Sequence, residues 1–239
     1  MDLKEESILG DRIGGHWYYT SKAAAMLRSL AGAEAATAID VGSGSGFFAR
    51  HLLERTATRQ VDCVDSSYEA DADEALEGGK LLRRRHHLDD AISDADLALL
   101  MDVLEHVEDD TELLRAAAGH LRPGGRVLVT VPAFGWLWSG HDDYLGHVRR
   151  YTLAQVEALF ERAGLVVDRG HYFFGLVFPA AVAQRLLDRI RSNGEAASKL
   201  KVHSPITNRS LSALSLAETR IQRFNRLAGL SVVVTGHTL

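Results

Sequence analysis

A run of three closely spaced glycines constrains the fold of this chain more than any other feature. It reads Asp40-Val41-Gly42-Ser43-Gly44-Ser45-Gly46 and follows an apolar stretch, residues 36–41, that predicts a first β-strand. Phe48, Leu52 and Leu53 come next at helical spacing. Glycines at a strand-to-helix turn let the backbone turn tightly and approach a ligand that faces the helix N-terminus. The run therefore predicts a ligand site at the carboxyl end of a strand in an α/β sheet.

The spacing of these glycines separates several kinds of nucleotide site. A dinucleotide fingerprint needs G-x-G-x-x-G, but position 47 is Phe and the third glycine falls at position 46. A phosphate-binding P-loop needs Lys and then Ser or Thr after the glycines, and this sequence has neither there. Asp65 ends a predicted second strand, where a carboxylate accepts hydrogen bonds from both hydroxyls of a ribose. A nucleoside-containing ligand is favoured, and an NAD-linked oxidoreductase is the first alternative.

Short apolar runs alternate with amphipathic stretches along the rest of the chain, which is the pattern of an α/β domain. Residues 97–101 are apolar throughout, as expected of a central parallel strand. We therefore predict an α/β fold with a doubly wound seven-stranded sheet. Its predicted strands are residues 36–41, 60–64, 81–87, 97–101, 126–131, 165–174 and 230–235.

The chain has no internal repeat and no long linker, so we predict a single domain over residues 1–239. Thr152 begins a predicted helix with a capping box, and residues 214–224 predict a last helix. Residues 132–150 and 175–210 are predicted to be insertions at the edge of the sheet.

Charge is distributed unevenly along the sequence. The chain has a net charge of −5, but residues 1–183 carry −11 and residues 184–226 carry +6. An acidic body with one basic segment is poorly suited to gripping nucleic acid along a broad face, so no nucleic-acid partner is predicted. The basic segment leaves a local anionic partner open, including peripheral contact with a membrane surface.

Cysteine content and apolar runs bear on location. The single cysteine, Cys63, excludes an intrachain disulfide framework and a multi-cysteine zinc site, and it favours the cytoplasm. The longest apolar run, residues 172–183, has twelve residues including a Gly and a Pro, whereas a bilayer span takes about 20. The first residues, MDLKEESILGD, carry acids where a signal peptide has a basic region. The sequence predicts no membrane span.

Four segments together resemble the class I S-adenosylmethionine-dependent methyltransferases. They are the glycine run at 40–46, Asp65, Asp102-Val103-Leu104-Glu105-His106-Val107, and L-R-P-G-G-R-V-L-V-T-V-P at 121–132. The resemblance is greatest to the small-molecule branch, which includes ubiquinone-biosynthesis-type and natural-product methyltransferases of secondary metabolism. It implies a Rossmann-like, mostly parallel sheet with an antiparallel terminal strand, and S-adenosylmethionine as the cofactor.

The same resemblance implies roles for particular residues of the cofactor pocket. Asp40 and the three glycines would surround the methionine part of the cofactor, and Asp65 would hold the ribose. Asp89 would contact the adenine amino group, and Leu88 would pack on the adenine ring. The full set of implied cofactor-binding residues is Asp40, Gly42, Gly44, Gly46, Asp65, Ser66, Leu88, Asp89, Met101, Asp102 and His106.

The insertion after the fifth strand is the predicted acceptor site. Methyl transfer to a hydroxyl is helped by a base that removes its proton, and histidine suits this task near neutral pH. His147 and His141 are therefore the predicted catalytic bases. The N-terminal segment 1–35, with its aromatic cluster, is a predicted lid. The predicted substrate-binding residues are Trp136, Trp138, Tyr144, Arg149 and Tyr19.

His141, Asp142, Asp143 and His147 have donor atoms that suit a divalent cation. Consecutive acids after a histidine are equally typical of a solvated turn, so the sequence predicts no metal site. The expected function is methyl transfer to a small-molecule acceptor, with O-methylation favoured, by a monomer or homodimer. The alternatives are an NAD-linked oxidoreductase and a cofactor-binding accessory protein without catalysis.

Overall fold

A computed structural model of the chain describes residues 10–32, 34–89, 92–191 and 204–239. One eight-stranded sheet forms its centre. The strands are β1 (Thr37–Val41), β2 (Gln60–Val64), β3 (Ala72–Leu76), β4 (Lys80–Arg85), β5 (Ala95–Met101), β6 (Leu121–Pro132), β7 (Leu165–Phe173) and β8 (Ser231–Thr238). They lie in the order β3-β4-β2-β1-β5-β6-β8-β7. The five strands from β4 to β6 in that order are parallel, whereas β3 and β8 are antiparallel to their neighbours. This arrangement confirms the predicted fold class.

The number of strands is one more than the predicted seven, because β3 was missed. All five residues of β3, ADEAL, are exposed or half-buried, so it lacks the apolar pattern by which a strand is recognised. Its acids are held by arginines of β4: Arg84 lies 3.5 Å from Glu74, and Arg85 lies 2.7 Å from Asp73. These ion pairs explain why the strand predicted at residues 81–87 is rich in arginine.

The two faces of the sheet are covered by helices, as a doubly wound fold requires. Neighbouring residues such as Leu99 and Leu100 of β5 are buried against opposite layers, the alternation expected of a strand. Helices α1 and α2 cover one face, and α3 and α5 cover the other. The helices are α1 (Trp17–Ser29), α2 (Phe47–Arg55), α3 (Asp110–Gly119), α4 (Gly140–Leu145), α5 (Leu153–Arg162), α6 (Phe178–Arg191) and α7 (Pro205–Glu218).

The helix ends show where local signals act alone and where packing decides. Helix α5 begins at the predicted capping box of Thr152 and is followed by Gly164 with φ at +83°. Helix α7 ends at Glu218, so the prediction of a last helix reaching residue 224 is wrong. Phe224 lies in a separate 3₁₀ turn with 69% of its surface exposed. With no core for Phe224 to face, helical spacing alone does not extend the helix.

The predicted insertions contribute short elements beside the sheet. Residues 132–150 contain α4, while α6 and the first part of α7 belong to residues 175–210. Residues 1–9 of the predicted lid and residues 192–203 lie outside the described residues. Within the described parts of the chain, no helix combines the length and the apolar character that crossing a bilayer demands.

Candidate active site

A cavity of about 600 Å³ opens at the carboxyl ends of β1, β2 and β5. This is the edge where an open α/β sheet binds its ligands. The wall is formed by the glycine run, by the loops that follow β2 and β4, and by the turn after β5. Its lining residues are Val41, Gly42, Val64, Asp65, Ser66, Ser67, His86, His87, Leu88, Val103, His106, Val107, Leu113 and Leu145.

The glycine run is a tight turn that packs against the end of β2 and against Val103. The N–H of Gly42 donates to the carbonyl of Val64 at 2.7 Å. Gly42 has φ at +67°, and a Cβ there would lie 2.6 Å from a methyl carbon of Val103. Gly44 and Gly46 also have positive φ, at +52° and +77°. Position 42 therefore requires glycine, because any side chain there would be strained by the positive φ and would clash with Val103.

Asp65 lies on the cavity wall and is tied to the glycine run. One carboxylate oxygen accepts from the N–H of Gly44 at 2.8 Å, and the other accepts from the N–H and hydroxyl of Ser67 at 2.9 and 2.6 Å. Burial raises the pKa of Asp65, but these hydrogen bonds outweigh burial and hold it below its usual value. Asp65 is therefore ionised at neutral pH, with acceptor capacity left for hydroxyls.

Tyr68 closes the glycine run from the other side and was missed by the sequence analysis. Its hydroxyl donates to the carbonyl of Gly44 at 2.7 Å and lies 2.8 Å from the hydroxyl of Ser43. Burial raises the pKa of Tyr68 well above its usual range, so the hydroxyl keeps its proton. A tyrosine three residues after the predicted ribose-binding acid carries no signal in a single sequence.

Asp102 directly follows β5 and forms a buried ion pair with Lys22 of α1. The carboxylate also accepts from the hydroxyls of Tyr18 at 3.2 Å and Thr130 at 3.0 Å. Burial alone would lower the pKa of Lys22, but Asp102 and Tyr18 raise it above its usual value. Asp102 has φ at +57°, an uncommon conformation for a residue other than glycine. The pair fixes α1 to the end of the central strand beside the cavity.

His147 is oriented by a buried carboxylate in the insertion after β6. Its Nδ1 lies 2.8 Å from Asp142, which also accepts from Arg150 at 2.6 Å. Burial raises the pKa of Asp142, but the hydrogen bonds from His147 and Arg150 bring it far below its usual range. A carboxylate only accepts hydrogen bonds, so Nδ1 of His147 carries a hydrogen, and in the neutral ring Nε2 is an acceptor. That Nε2 is buried and has no hydrogen-bond partner among the described residues.

Two neighbours share this feature of a buried acceptor without a donor. The ring of His106 lies 4.8 Å from the ring of His147, nearly perpendicular to it, and its Nε2 also lacks a described partner. Both carboxylate oxygens of the fully buried Glu105 are in the same condition. Burial lowers the pKa of His106 to about 4, with the nearby His147 adding to the effect. Burial, with Asp102 nearby, raises the pKa of Glu105 well above its usual value.

Comparison with known proteins assigns most of the chain to a family. Residues 16–169, more than half of the chain, match a family described as a methyltransferase domain. The chain belongs to the methyltransferase domain family. This confirms the resemblance to the S-adenosylmethionine-dependent methyltransferases stated from the sequence, so the cofactor expected of the domain is S-adenosylmethionine.

Individual relatives of this methyltransferase are more distant. A ubiquinone biosynthesis O-methyltransferase of Methylobacterium nodulans is 29% identical over 155 residues, and one of Aeromonas salmonicida is 31% identical over 148 residues. These alignments cover 56% and 54% of this chain, which spans 61% and 62% of the two relatives. Geranyl diphosphate methyltransferase, solved with S-adenosylmethionine, has a TM-score of 0.56 at 14% identity, covering 93% of this chain and 86% of that protein. At such identity the structural likeness shows the fold alone.

The residues present fit the cofactor of a methyltransferase. Five of the eleven predicted cofactor residues, Gly42, Asp65, Ser66, Leu88 and His106, line the cavity. Its wall thus combines an ionised carboxylate, the backbone of a glycine turn and apolar surface, which suits a nucleoside joined to a cationic sulfonium. The remaining six are not among its lining residues, and of these Asp89 is exposed; they are Asp40, Gly44, Gly46, Asp89, Met101 and Asp102.

The predicted substrate-binding residues of the methyltransferase are dispersed, and none lines the described cavity. Tyr19 is buried in the core, where its ring contacts those of Phe47 and Phe48. Arg149 pairs with Asp110 at 3.1 Å. The indole of the half-buried Trp138 donates to Asp143 at 2.9 Å, and Tyr144 is half-buried in α4.

Trp136 belongs to a group of aromatic rings, whereas His141 interacts with the charged groups around Asp142. The ring of Trp136 is half exposed and 5.7 Å from that of Phe134, which stacks on Tyr172 at 5.0 Å. Phe134 and Tyr172 were not among the predicted substrate-binding residues. Burial lowers the pKa of His141 to about 4, so this ring is neutral at neutral pH.

Proposed function

We propose that this methyltransferase transfers a methyl group to a hydroxyl oxygen of a small-molecule acceptor, and that His147 promotes the loss of the hydroxyl proton. The single observation that carries the proposal is the Asp142–His147 pair. It leaves a proton-accepting Nε2 beside His106, which lines the cavity. The two relatives named above are O-methyltransferases, which supports oxygen as the methylated atom.

The residues of the cavity wall divide the work. When bound, S-adenosylmethionine supplies an electrophilic methyl group on a sulfonium, which is transferred by in-line displacement. The carboxylate of Asp65 accepts hydrogen bonds from the ribose hydroxyls. The glycine run, held by Tyr68, has no side chains that would keep the cofactor away from the protein backbone at its glycines. Holding the acceptor in line with the methyl group provides much of the acceleration. The negative charge of Asp65 also favours a cationic cofactor over its neutral product.

A hydroxyl is a weak nucleophile until its proton is removed, whereas a neutral amine needs no such help. A buried histidine whose Nδ1–H is held by Asp142 keeps its lone pair available at Nε2. This arrangement has no purpose in methyl transfer to an amine that already carries a lone pair. The insertion at residues 132–150 then has two roles, because it carries both His147 and the group of aromatic rings at Trp136. Cofactor site and acceptor site belong to the one domain predicted for residues 1–239.

The test is transfer of labelled methyl groups to a panel of hydroxylated aromatic compounds and to amines of matched shape. Replacement of His147 by Gln is expected to lower the turnover of the best hydroxylated acceptor by about 100-fold or more. Affinity for S-adenosylhomocysteine, measured by calorimetry, should stay within a factor of two. His237→Gln is the matched control, because His237 has the same Nδ1–Asp pairing at 2.8 Å with Asp168 but lies on β8, away from the cavity.

Two results would contradict the proposal. One is methyl transfer to amines and not to hydroxyls, and the other is full turnover of hydroxylated acceptors by the His147→Gln variant. Binding of S-adenosylhomocysteine with no transfer to any acceptor in the panel would favour the alternative of a non-catalytic accessory protein.

A further inference from the structure

The acceptor cluster, defined as Glu105, His106 and His147, has an imbalance of hydrogen-bonding groups. One carboxylate oxygen and one ring nitrogen of each histidine all lie within 4.8 Å of one another. The carboxylate oxygens and both Nε2 atoms are buried, and they have no hydrogen-bond partner among the described residues. Buried polar atoms are nearly always satisfied, so four such atoms on three neighbouring side chains point to a missing partner.

The tautomers of the two rings identify the partner as a cation or donor. Nδ1 of His147 donates to Asp142, and the ring of His106 donates to the backbone of Gly146. Both Nε2 atoms therefore present lone pairs, as does Glu105. One proton placed on Glu105 would satisfy a single nitrogen and leave the other without a partner. A metal ion satisfies all three acceptors at once.

From this geometry we infer that Glu105, His106 and His147 bind a divalent transition-metal ion at the edge of the cavity. The part of the inference that concerns metal binding is independent of the proposed function; only the role of the ion rests on it. The three atoms are close enough for a common point about 2.8 Å from each, and metal–ligand bonds of about 2.0–2.2 Å then need shifts of less than about 1 Å.

The donor set selects the kind of ion. Two imidazole nitrogens and one carboxylate oxygen are the ligands of open zinc sites and of non-haem iron sites. Mg²⁺ and Ca²⁺ prefer oxygen ligands throughout, so they are disfavoured here. Asp142 accepts a hydrogen bond from His147, and metal-binding histidines commonly have such a carboxylate partner on the ring nitrogen that does not bind the metal. We expect Zn²⁺ as the tightest-binding ion of those in ordinary supply, with Co²⁺ as a close substitute.

The surrounding charges leave the cluster in need of a cation. Asp102 is neutralised by Lys22, and Asp142 is neutralised by Arg150, with Arg185 3.8 Å away. Both pairs are complete without Glu105. Glu105 has no hydrogen-bond partner among the described residues, and its ionised form would be a buried negative charge, which is costly unless it is paired or binds a metal.

An ion at this place would sharpen the proposed function. Three protein ligands leave at least one coordination position open, as in catalytic zinc sites. A hydroxyl bound there would lose its proton to water more readily, because the ion stabilises the resulting oxygen anion. The methyl–sulfur bond then breaks as the methyl–oxygen bond forms, and S-adenosylhomocysteine leaves. On this view His147 acts by holding the ion, and Asp142 acts as its positioning residue.

The test uses the full chain without a histidine tag, treated with a chelator and then titrated with Co²⁺. Wild type is expected to bind one Co²⁺ with visible d–d bands, which Zn²⁺ displaces. Glu105→Gln and His147→Gln should each weaken Co²⁺ binding by about 100-fold or more. Asp142→Asn should weaken it by about 10- to 100-fold, because it perturbs the ligand only through its outer partner.

His237→Gln is the control, and it should bind Co²⁺ as wild type does. Circular dichroism establishes that each variant is folded, and Glu105→Gln keeps the size of the side chain so that folding is preserved. The inference is overturned if wild type binds no stoichiometric Co²⁺, or if both ligand variants bind it as tightly as wild type. Bound Co²⁺ without transfer to hydroxyls would refute the proposed function alone. Transfer that persists in metal-free protein would refute the role of the ion alone.

Discussion

The glycine run and the acceptor cluster flank one cavity, but they differ in how their polar atoms are satisfied. In the glycine run, Asp65 and Tyr68 bind the backbone of Gly44 from both sides. In the acceptor cluster, Glu105 and two Nε2 atoms have no described partner. A satisfied region is already in its binding conformation, whereas an unsatisfied one is stabilised by what binds to it. Substitutions in the two regions should therefore change stability with opposite signs.

The largest expected effect comes from Gly42→Ala in the glycine run. The new Cβ would clash with Val103 and hold a residue other than glycine at φ +67°. We expect a loss of about 2–3 kcal/mol in the free energy of unfolding and about 100-fold in affinity for S-adenosylhomocysteine. Chemical denaturation and calorimetry measure the two.

Gly124→Ala separates backbone strain from the clash. Gly124 has a similar φ of +73°, but a Cβ there meets no atom within 4 Å. It should lose only about 1 kcal/mol of stability and keep its cofactor affinity. Equal losses in the two variants would show that close approach at Gly42 does not matter.

The second prediction concerns the acceptor cluster and has the opposite sign. In chelator-treated protein, Glu105→Gln is expected to raise the free energy of unfolding by about 1–2 kcal/mol, because an amide offers two hydrogens to the imidazole nitrogens and has no ionised form that burial would disfavour. Glu218→Gln is the matched control. Glu218 is also buried, but it accepts from the N–H groups of Gly175 at 2.7 Å and Leu176 at 3.1 Å.

The Glu218 variant should lose about 1–2 kcal/mol, since its amide hydrogens would face two backbone donors. Thermal and urea unfolding of both variants give the comparison. A destabilised Glu105→Gln protein without metal would mean that the carboxylate has a partner there and that the cluster is not open.

The same contrast explains what the sequence predicts and what it does not. The glycine run, Asp65 and the strand before them are neighbours along the chain, and local spacing sufficed to predict the site that they form. Glu105 and His147 are 42 residues apart and meet only because β6 and the insertion return to the end of β5. His147 was predicted as a catalytic base, whereas Glu105 had no predicted role beyond its place in the motif at residues 102–107. A single sequence contains no signal that two hydrogen-bond acceptors so far apart along the chain lie side by side in the fold.

Edge elements were also beyond local prediction. The strand β3 has no buried face, so neither alternation nor an apolar run reveals it. Its acids become meaningful only beside the arginines of β4. The central strands, by contrast, are buried on both faces, and their composition alone marked them.

A smaller effect is expected from Tyr68→Phe, which removes the hydroxyl that contacts the glycine run. The loss should be about 1 kcal/mol of stability and a few-fold in cofactor affinity, because the carbonyl of Gly44 loses its donor. Ser43→Ala in the same background completes a double-mutant cycle. A coupling of about 0.5–1 kcal/mol is expected for the 2.8 Å contact between the two hydroxyls, and independent effects would contradict it.

The smallest expected effect is the pH dependence that Asp65 contributes. Its pKa is lower in the folded chain than in the unfolded chain, because Ser67 and Gly44 donate to the carboxylate. The stabilisation is therefore complete above the unfolded pKa, near 4, and is lost as the pH falls through the lower folded value. Since Asp65 is only half-buried, the difference in unfolding free energy between wild type and Asp65→Asn should change by less than about 1 kcal/mol between pH 6 and pH 3. Urea unfolding across that range measures it, and a difference that grows towards acid would have the wrong sign for a carboxylate held by donors.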